Sequence, residues 1–304
     1  MHDRSDGCCL FRQFFCCEGR TSGKGGENGE MAMEDYFGKE AGELKRKKLW
    51  LLDMDGTVYE EERLFDATPG FLQAIEEIGG HFIFVTNNSS KSVKDYVKKV
   101  RRMGLNVGED AFFTSAQATV LVLQKQYPGA VVYCQGTESL LRELKDAGIR
   151  VTDRVEKVDV VLVGFDLELT MEKQRNTCEI LTRQDPVYLA TNPDLVYPVS
   201  FGFIPDCGSM CVMIRNATGK VPTVIGKPEP LMVNVVREKR GISAEETVIV
   251  GDRLYTDIAT GQNAGITSVC VLSGEATLAD IENGTVKPTY TFQDVGAIRD
   301  VLMG

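Results

Sequence analysis

Lys47-Lys48-Leu49-Trp50-Leu51-Leu52-Asp53-Met54-Asp55-Gly56-Thr57 is the stretch on which the fold turns. The run from Leu49 to Leu52 is apolar at every position, the pattern of a strand buried on both faces of a parallel sheet. It ends in two carboxylates, Asp53 and Asp55, followed by a glycine at which the chain turns. Acids so placed repel each other, and a bound cation or a shared proton must offset the repulsion. Acidic residues also favour solvated strand ends, so the motif alone does not separate a site from a surface.

Outward from this stretch a strand-then-helix rhythm repeats. Thr68-Pro69-Gly70 opens a helix through Ile78, Gly79-Gly80 stops it, and FIFV (82–85) is the next strand. A helix near Ser92 to Met103 follows, then VVYC (131–134), ESLLRELKDAG (138–148) and VDVVLVGF (158–165). A helix near Thr170 to Arg183 leads to VYLAT (187–191). Late in the chain come TVIG (223–226), a helix after Pro230, TVIVGD (247–252), a helix after Asp257 and ITSVCVL (266–272). Strands alternating with helices predict an α/β fold with a mainly parallel sheet, whose ligands collect at the carboxyl ends of the strands.

Composition narrows the class. The 304 residues hold 34 Lys+Arg against 44 Asp+Glu, a net charge of −10, where a nucleic-acid binder shows a basic excess. Apolar residues make up 43% of the chain, yet no stretch approaches the roughly 20 in a row that a spanning helix needs, so no membrane partner is expected. Four of the nine cysteines, Cys8, Cys9, Cys16 and Cys17, crowd the first 17 residues without an apolar secretion core beside them. No downstream cluster with metal-ligand spacing partners them, and a lipid-accepting role is set aside with the metal one. The other five sit singly, in runs such as SVCVL that suit buried reduced thiols, and a cytoplasmic protein is expected. Residues 1–44, with GRTSGKGGENGE (19–30), read as a flexible tail in which Met31 or Met33 is an alternative start.

Four strand ends carry the chemistry. Asp53 and Asp55 close the first. Thr86-Asn87-Asn88-Ser89 closes the second, with hydroxyl and amide groups suited to an anion or, equally, to a plain helix cap. Lys227, in Gly226-Lys227-Pro228, follows TVI and can set one fixed positive charge against a phosphate. Asp252 and Asp257, in GDRLYTD (251–257), can complete a hard-cation site, because Mg²⁺ prefers carboxylate oxygens. Each has a bland reading by itself; the coincidence of all four at the ends of core strands favours a metal-assisted anion site.

DMDGT (53–57), VTNNS (85–89), GKP (226–228) and GDRLYTD, in that order, resemble the four motifs of the haloacid dehalogenase superfamily of aspartate-nucleophile phosphatases. The resemblance spans about residues 46–304. FFTSAQAT (112–119), ATNPD (190–194) and PDCGSM (205–210) look like signatures of its NagD-type and 4-nitrophenyl phosphatase subgroup, which carries a large α/β cap. The resemblance implies a Rossmann-like parallel-sheet core, residues 45–128 and 207–304, with an inserted α/β cap at 129–206. It implies Mg²⁺ as cofactor, held by Asp53, Asp55 through its backbone carbonyl, Asp252 and Asp257. Asp53 becomes the nucleophile and Asp55 the acid and base for the leaving alcohol. Thr86, Asn87, Asn88 and Lys227 hold the phosphoryl oxygens. Asn192, Asp194 and Tyr197 are candidates for substrate contacts from the cap, although Asn-Pro-Asp is also ordinary turn chemistry. The resemblance further implies a small phosphorylated metabolite as substrate and a homodimer through the cap.

The acid at Asp55 favours phosphate-ester hydrolysis, since the superfamily's dehalogenases lack it. Only about 30 residues separate DMDGT from Thr86, too few for the small helical cap of phosphomutase relatives. A receiver-type phosphate sensor is shorter and places its acceptor aspartate on a different strand. A catalytically silent phosphate-binding protein on the same fold is the remaining alternative, against which every catalytic position is intact. The sequence does not choose among sugar phosphates, nucleotides and other small esters.

Overall fold

The computed structural model describes residues 33–304, so the four N-terminal cysteines lie outside the described residues. The chain runs β1 (Leu49–Leu52), β2 (Tyr59–Glu60), β3 (Arg63–Leu64), α1 (Thr68–Glu77), β4 (His81–Thr86), α2 (Val93–Arg102), β5 (Phe112–Thr114) and α3 (Ser115–Gln126). It continues through β6 (Val131–Gln135), α4 (Glu138–Asp146), β7 (Arg150–Thr152), β8 (Val160–Val163), α5 (Met171–Arg183), β9 (Val187–Ala190), β10 (Val196–Val199), β11 (Gly202–Pro205), α6 (Cys207–Thr218) and β12 (Thr223–Val224). It closes with α7 (Leu231–Arg240), β13 (Thr247–Gly251), α8 (Ala259–Ala264), β14 (Thr267–Val271), α9 (Leu278–Asn283), β15 (Tyr290–Phe292) and α10 (Val295–Met303).

The expected buried strand is central. β1 pairs in parallel with β4 on one side and β13 on the other, within a six-stranded parallel sheet of order β15-β14-β13-β1-β4-β5. Its alternate side chains point to opposite faces. Leu49 and Leu51 join Ile83, Val85 and Ile249 in one cluster, while Trp50 and Leu52 join Phe84, Val248 and Val250 in the other. Burying such a side chain contributes about 1.5–3 kcal/mol, so a polar substitution anywhere in this run opens one of two cores. After β1 the chain builds outward through β4 and β5, then returns to build the other half from β13. Strand order therefore reverses beside β1, and a crevice opens there at the carboxyl ends.

Local signals set the helices that frame this crevice. Ser92 caps α2 in a reciprocal box with Asp95, and Thr114 caps α3 in the same way with Gln117. Pro69 lies in the first turn of α1.

Three expectations change. Residues 33–44 are not a loose tail: Ala41 and Leu44 are buried in the core, and Tyr36 N–H donates to the Thr291 carbonyl at 2.7 Å. TVI does not end a core strand, because β12 pairs with β9 at the edge of a second, five-stranded parallel sheet of order β12-β9-β8-β6-β7. With α6 packed against that sheet through Cys207, Met210 and Ile214, the inserted module runs to about residue 224 rather than ending at 206. Third, the pattern of alternating runs left out β5 and β15, three residues each, and the antiparallel hairpin β10–β11.

Candidate active site

The loops after β1, β4, β12 and β13 converge. The carboxylates of Asp53, Asp252 and Asp257 lie with an oxygen of each within 4.8 Å of the others. Lys227 enters from the second sheet rather than the first. Its ammonium donates to Asp53 Oδ1 at 2.5 Å, Asp257 Oδ1 at 2.6 Å and the Val85 carbonyl at 3.1 Å. All three donors of the ammonium are used, and the residue is only 2% exposed.

Glycine makes room for Asp252. Gly56 sits at φ +84°, and a Cβ there would stand 2.6 Å from Asp252 Oδ2. Asp252 accepts from the Glu275 amide at 2.7 Å and faces the Thr57 hydroxyl at 3.4 Å. Asp257 Oδ2 accepts from the Arg253 amide at 3.1 Å. Asp53 differs, since its Oδ2 accepts no hydrogen bond among the described residues and, with 14% of its side chain exposed, it is the least covered of the trio.

The electrostatics follow from burial and crowding. Burial pushes the Asp53 carboxyl up to about 6, and repulsion from Asp252 adds to this against the pull of Lys227. Burial and Asp53 raise Asp257 to about 6. Burial and Asp257 raise Asp252 to about 7. Burial opposes the charge on Lys227, but Asp257 and Asp53 outweigh it and hold the ammonium above its ordinary range. Three acids share one base, so the cluster is under-neutralised. A donor set made only of carboxylate oxygens with surplus negative charge fits a hard divalent cation, for which Asp53 and Asp252 hold the uncommitted lone pairs.

Asp55 lies apart from that trio. Its Oδ2 accepts from the Tyr59 hydroxyl at 3.0 Å and its Oδ1 from the Tyr197 hydroxyl at 3.3 Å. Lys99 approaches at 3.8 Å while its ammonium stands 3.9 Å above the Tyr59 ring. Asp53, Asp55, Thr86, Asn87, Asn88 and Lys227 all line one cavity of about 30 Å³. Asp194, Tyr197 and Arg253 complete its wall from the cap side and from the loop after β13.

Several expected site residues have their polar groups turned elsewhere. Asn87 spends its side chain on Lys227: Oδ1 accepts from the Lys227 amide at 2.8 Å, and Nδ2 donates to the Lys227 carbonyl and to Asp194. Asn88 Oδ1 accepts from Ser90, and Thr86 Oγ1 accepts from the Asn88 amide. Asn192 is fully buried, does not line the cavity, and bridges Asp194 to Asp206 with its amide. Asp194 lines the cavity, yet Arg253 holds one of its oxygens at 2.9 Å and Asn87 and Asn192 hold the other.

Arg253 was missed as a site residue although it stands inside GDRLYTD, because nothing in sequence marks an arginine that braces two segments. It pairs with Asp194 across the two modules and with Glu275 at 2.9 Å. Lys99 was missed for a similar reason. It sits in a helix rich in lysine, where the ordinary reading is a snorkelling surface chain.

Comparison with known proteins accords with this geometry. Residues 50–150 match the haloacid dehalogenase-like hydrolase family model, and residues 224–298 match a second, HAD-hydrolase-like model. The acid sugar phosphatase of Staphylococcus aureus is 35% identical over 252 residues, 83% of this chain and 96% of that protein. A solved 4-nitrophenylphosphatase from Thermotoga maritima superposes with a TM-score of 0.80 at 39% identity, over 84% of this chain and 98% of that one. A glycerol phosphate phosphatase from Mycobacterium tuberculosis, solved with magnesium, gives 0.78 at 29% identity, over 84% and 77%. The chain belongs to the haloacid dehalogenase-like hydrolases, among their NagD-type phosphatases, and is a phosphoric monoester hydrolase. The fold class and family expected from the four motifs are the ones found. Among the described residues no helix is long and apolar enough to cross a membrane.

Proposed function

We propose that the chain hydrolyses small phosphate monoesters through an aspartyl-phosphate formed on Asp53, with Mg²⁺ as its cofactor. The observation that carries this reading is the arrangement around Asp53. One of its oxygens is fixed by Lys227, and the other is uncommitted beside the cavity that Asp55 also lines. The fixed oxygen sets the orientation of the carboxylate and leaves its partner to attack phosphorus in line. Lys227, braced by Asp257 and by the Asn87 side chain, presents a charge that cannot swing away as the phosphoryl group transfers. The Thr86 hydroxyl and the Asn87 backbone region, which line the same cavity, hold phosphoryl oxygens. Asp55 protonates the departing alcohol and then takes a proton from the water that cleaves the acyl phosphate.

Asp53, Asp252 and the backbone carbonyl of Asp55 would hold Mg²⁺, with Asp257 behind them. The ion would offset the surplus negative charge and so permit one anion to approach another. The magnesium in the mycobacterial relative supports the same reading. The five described free cysteines accord with a reducing, cytoplasmic setting. Val212, Met213 and Val221 are exposed apolar residues that a homodimer through the cap would cover, and sedimentation of the purified chain decides its mass.

The test is release of nitrophenol from p-nitrophenyl phosphate with Mg²⁺, with EDTA, and with Asp53→Asn and Asp55→Asn. Asp53→Asn should lose about 10⁴-fold in kcat, and Asp55→Asn about 10²–10⁴-fold. Acid-quenched wild type should carry one added phosphoryl group on the peptide containing Asp53. Full activity in Asp53→Asn would sink the nucleophile assignment.

A further inference from the structure

A second cavity opens next to the one around Asp53. It measures about 270 Å³ and shares Asp55 and Arg253 with the cavity around Asp53. An alcohol released beside Asp55 would have this cavity next to it. Its walls are the β10–β11 hairpin, with Val199 and Phe203, the end of β2 and its turn, with Glu60 and Glu61, and the loops after β13 and β14, with Asp252 and Glu275. At just under the roughly 300 Å³ at which ligand pockets begin, it suits one small ring or short chain.

Its charge is one-sided. Glu60 and Glu61 are exposed, and among the described residues neither pairs with a cation. Arg253 is the one cation among the lining residues, and it is already engaged by Asp194 and Glu275. Lys99 is 3% exposed, turned onto the Tyr59 ring, and not on this wall. The turn adds an independent sign. Glu61 sits at φ +52° in the two-residue link between β2 and β3, where glycine or asparagine is the relaxed choice. A glutamate occupies the strained position and faces the cavity. Phe203, 60% exposed at the opposite wall, offers an aromatic face.

Resting on the phosphatase reading above, we infer that this cavity selects phosphate monoesters whose leaving alcohol carries a protonated amine, and discriminates against those bearing a carboxylate. The amine meets Glu60 and Glu61 and the π face of Phe203, while a carboxylate meets like charge, and the one cationic side chain on the walls, Arg253, is already engaged by Asp194 and Glu275.

The test compares kcat/KM for glucosamine 6-phosphate, glucose 6-phosphate and 6-phosphogluconate with Mg²⁺, at a pH where the amine is protonated. The expected order is amine, neutral, acid, with an amine-to-acid ratio of about tenfold or more at low salt. That ratio should fall severalfold in Glu60→Gln/Glu61→Gln and in high NaCl. Glu60→Gln alone should shift it in the same direction by less, which keeps the test informative if the double variant folds poorly. A wild-type ratio at or below one, or a ratio unmoved by the substitutions, overturns the inference and leaves the phosphatase reading intact. Hydrolysis of p-nitrophenyl phosphate but of none of the three esters has the same meaning. Hydrolysis of no ester at all overturns both.

Discussion

Two groups of buried charge stand within a hydrogen bond of each other in this molecule, and they are built differently. Around Asp53, three carboxylates share a single ammonium, and one oxygen of Asp53 has no donor among the described residues. Around Asp194, every oxygen is held: Arg253 takes one, and Asn87 with Asn192 takes the other. The first group is left short of positive charge and can bind and react. The second is satisfied and can only hold. Asn87 joins them, since its amide donates both to Asp194 and to the Lys227 carbonyl. The brace between the modules thus also fixes the backbone of the lysine whose ammonium holds Asp53.

Removing the shared cation should break the contrast most severely. Lys227→Met leaves three crowded carboxylates with nothing between them. We expect kcat to fall by about 10³-fold, the scale of losing a preorganised charge beside the transferring group. Stripping a partner from a buried ion pair should also cost about 3–5 kcal/mol of stability, read by urea unfolding without metal. Stability equal to wild type would mean that the trio titrates away its charge rather than repelling.

Asp194→Asn tests the other group. It leaves the buried Arg253 with Glu275 alone, and the expected loss is about 3 kcal/mol in urea unfolding. Turnover of p-nitrophenyl phosphate should suffer far less than in Lys227→Met. A catalytic loss without a stability loss would return Asp194 to the substrate-contact role first expected of it.

These two groups also mark how far the sequence could be read. The convergence of Asp53, Asp252, Asp257 and Lys227, with Asp55 beside them, was legible because few arrangements collect these residue types at the ends of strands. Asn192 and Asp194 were equally visible, but their duty was not. A carboxylate facing a substrate and one facing an arginine from a distant segment look the same in one dimension. The strand TVI was found while its sheet was mistaken, because a short apolar run carries no mark of which sheet it joins. Residues 33–44 were misread for the opposite reason: their two buried side chains, Ala41 and Leu44, are too few to produce a periodic signal.

The pH response is a gentler probe of the first group. Burial and mutual repulsion raise Asp53 and Asp257 to about 6 and Asp252 to about 7. A carboxyl whose folded pKa exceeds its unfolded value near 4 binds protons more tightly in the native state. Its stabilising effect is complete below about pH 4 and is lost as pH rises through about 6–7. Metal-free protein should therefore melt a few degrees lower at pH 7.5 than this trio would otherwise permit. Asp252→Asn should flatten that slope between pH 5 and pH 7, as should added Mg²⁺ in the wild type. A slope that neither change alters would place the titration elsewhere.

The smallest expected effect concerns the one hydroxyl that the cap lends to Asp55, the acid of the proposed mechanism. Tyr197 lies on β10 and donates to Asp55 at 3.3 Å, while the Tyr59 hydroxyl from the core donates to the other oxygen at 3.0 Å. The core donor is the shorter and lies four residues from Asp55 in the chain, so it holds the carboxyl from within the core. The cap donor ties the same carboxyl to the inserted module. Tyr197→Phe keeps the ring, whose centroid lies 5.2 Å from that of Phe165, and removes only this bond. A hydrogen bond of that kind contributes about 0.5–1.5 kcal/mol, or roughly two- to tenfold in kcat. The loss should grow with the basicity of the leaving alcohol, because a poor leaving group needs its proton most. p-Nitrophenyl phosphate should therefore hardly register the change while an alkyl ester does. Equal losses on both esters would show that Tyr197 acts by packing the cap rather than by aiming the acid.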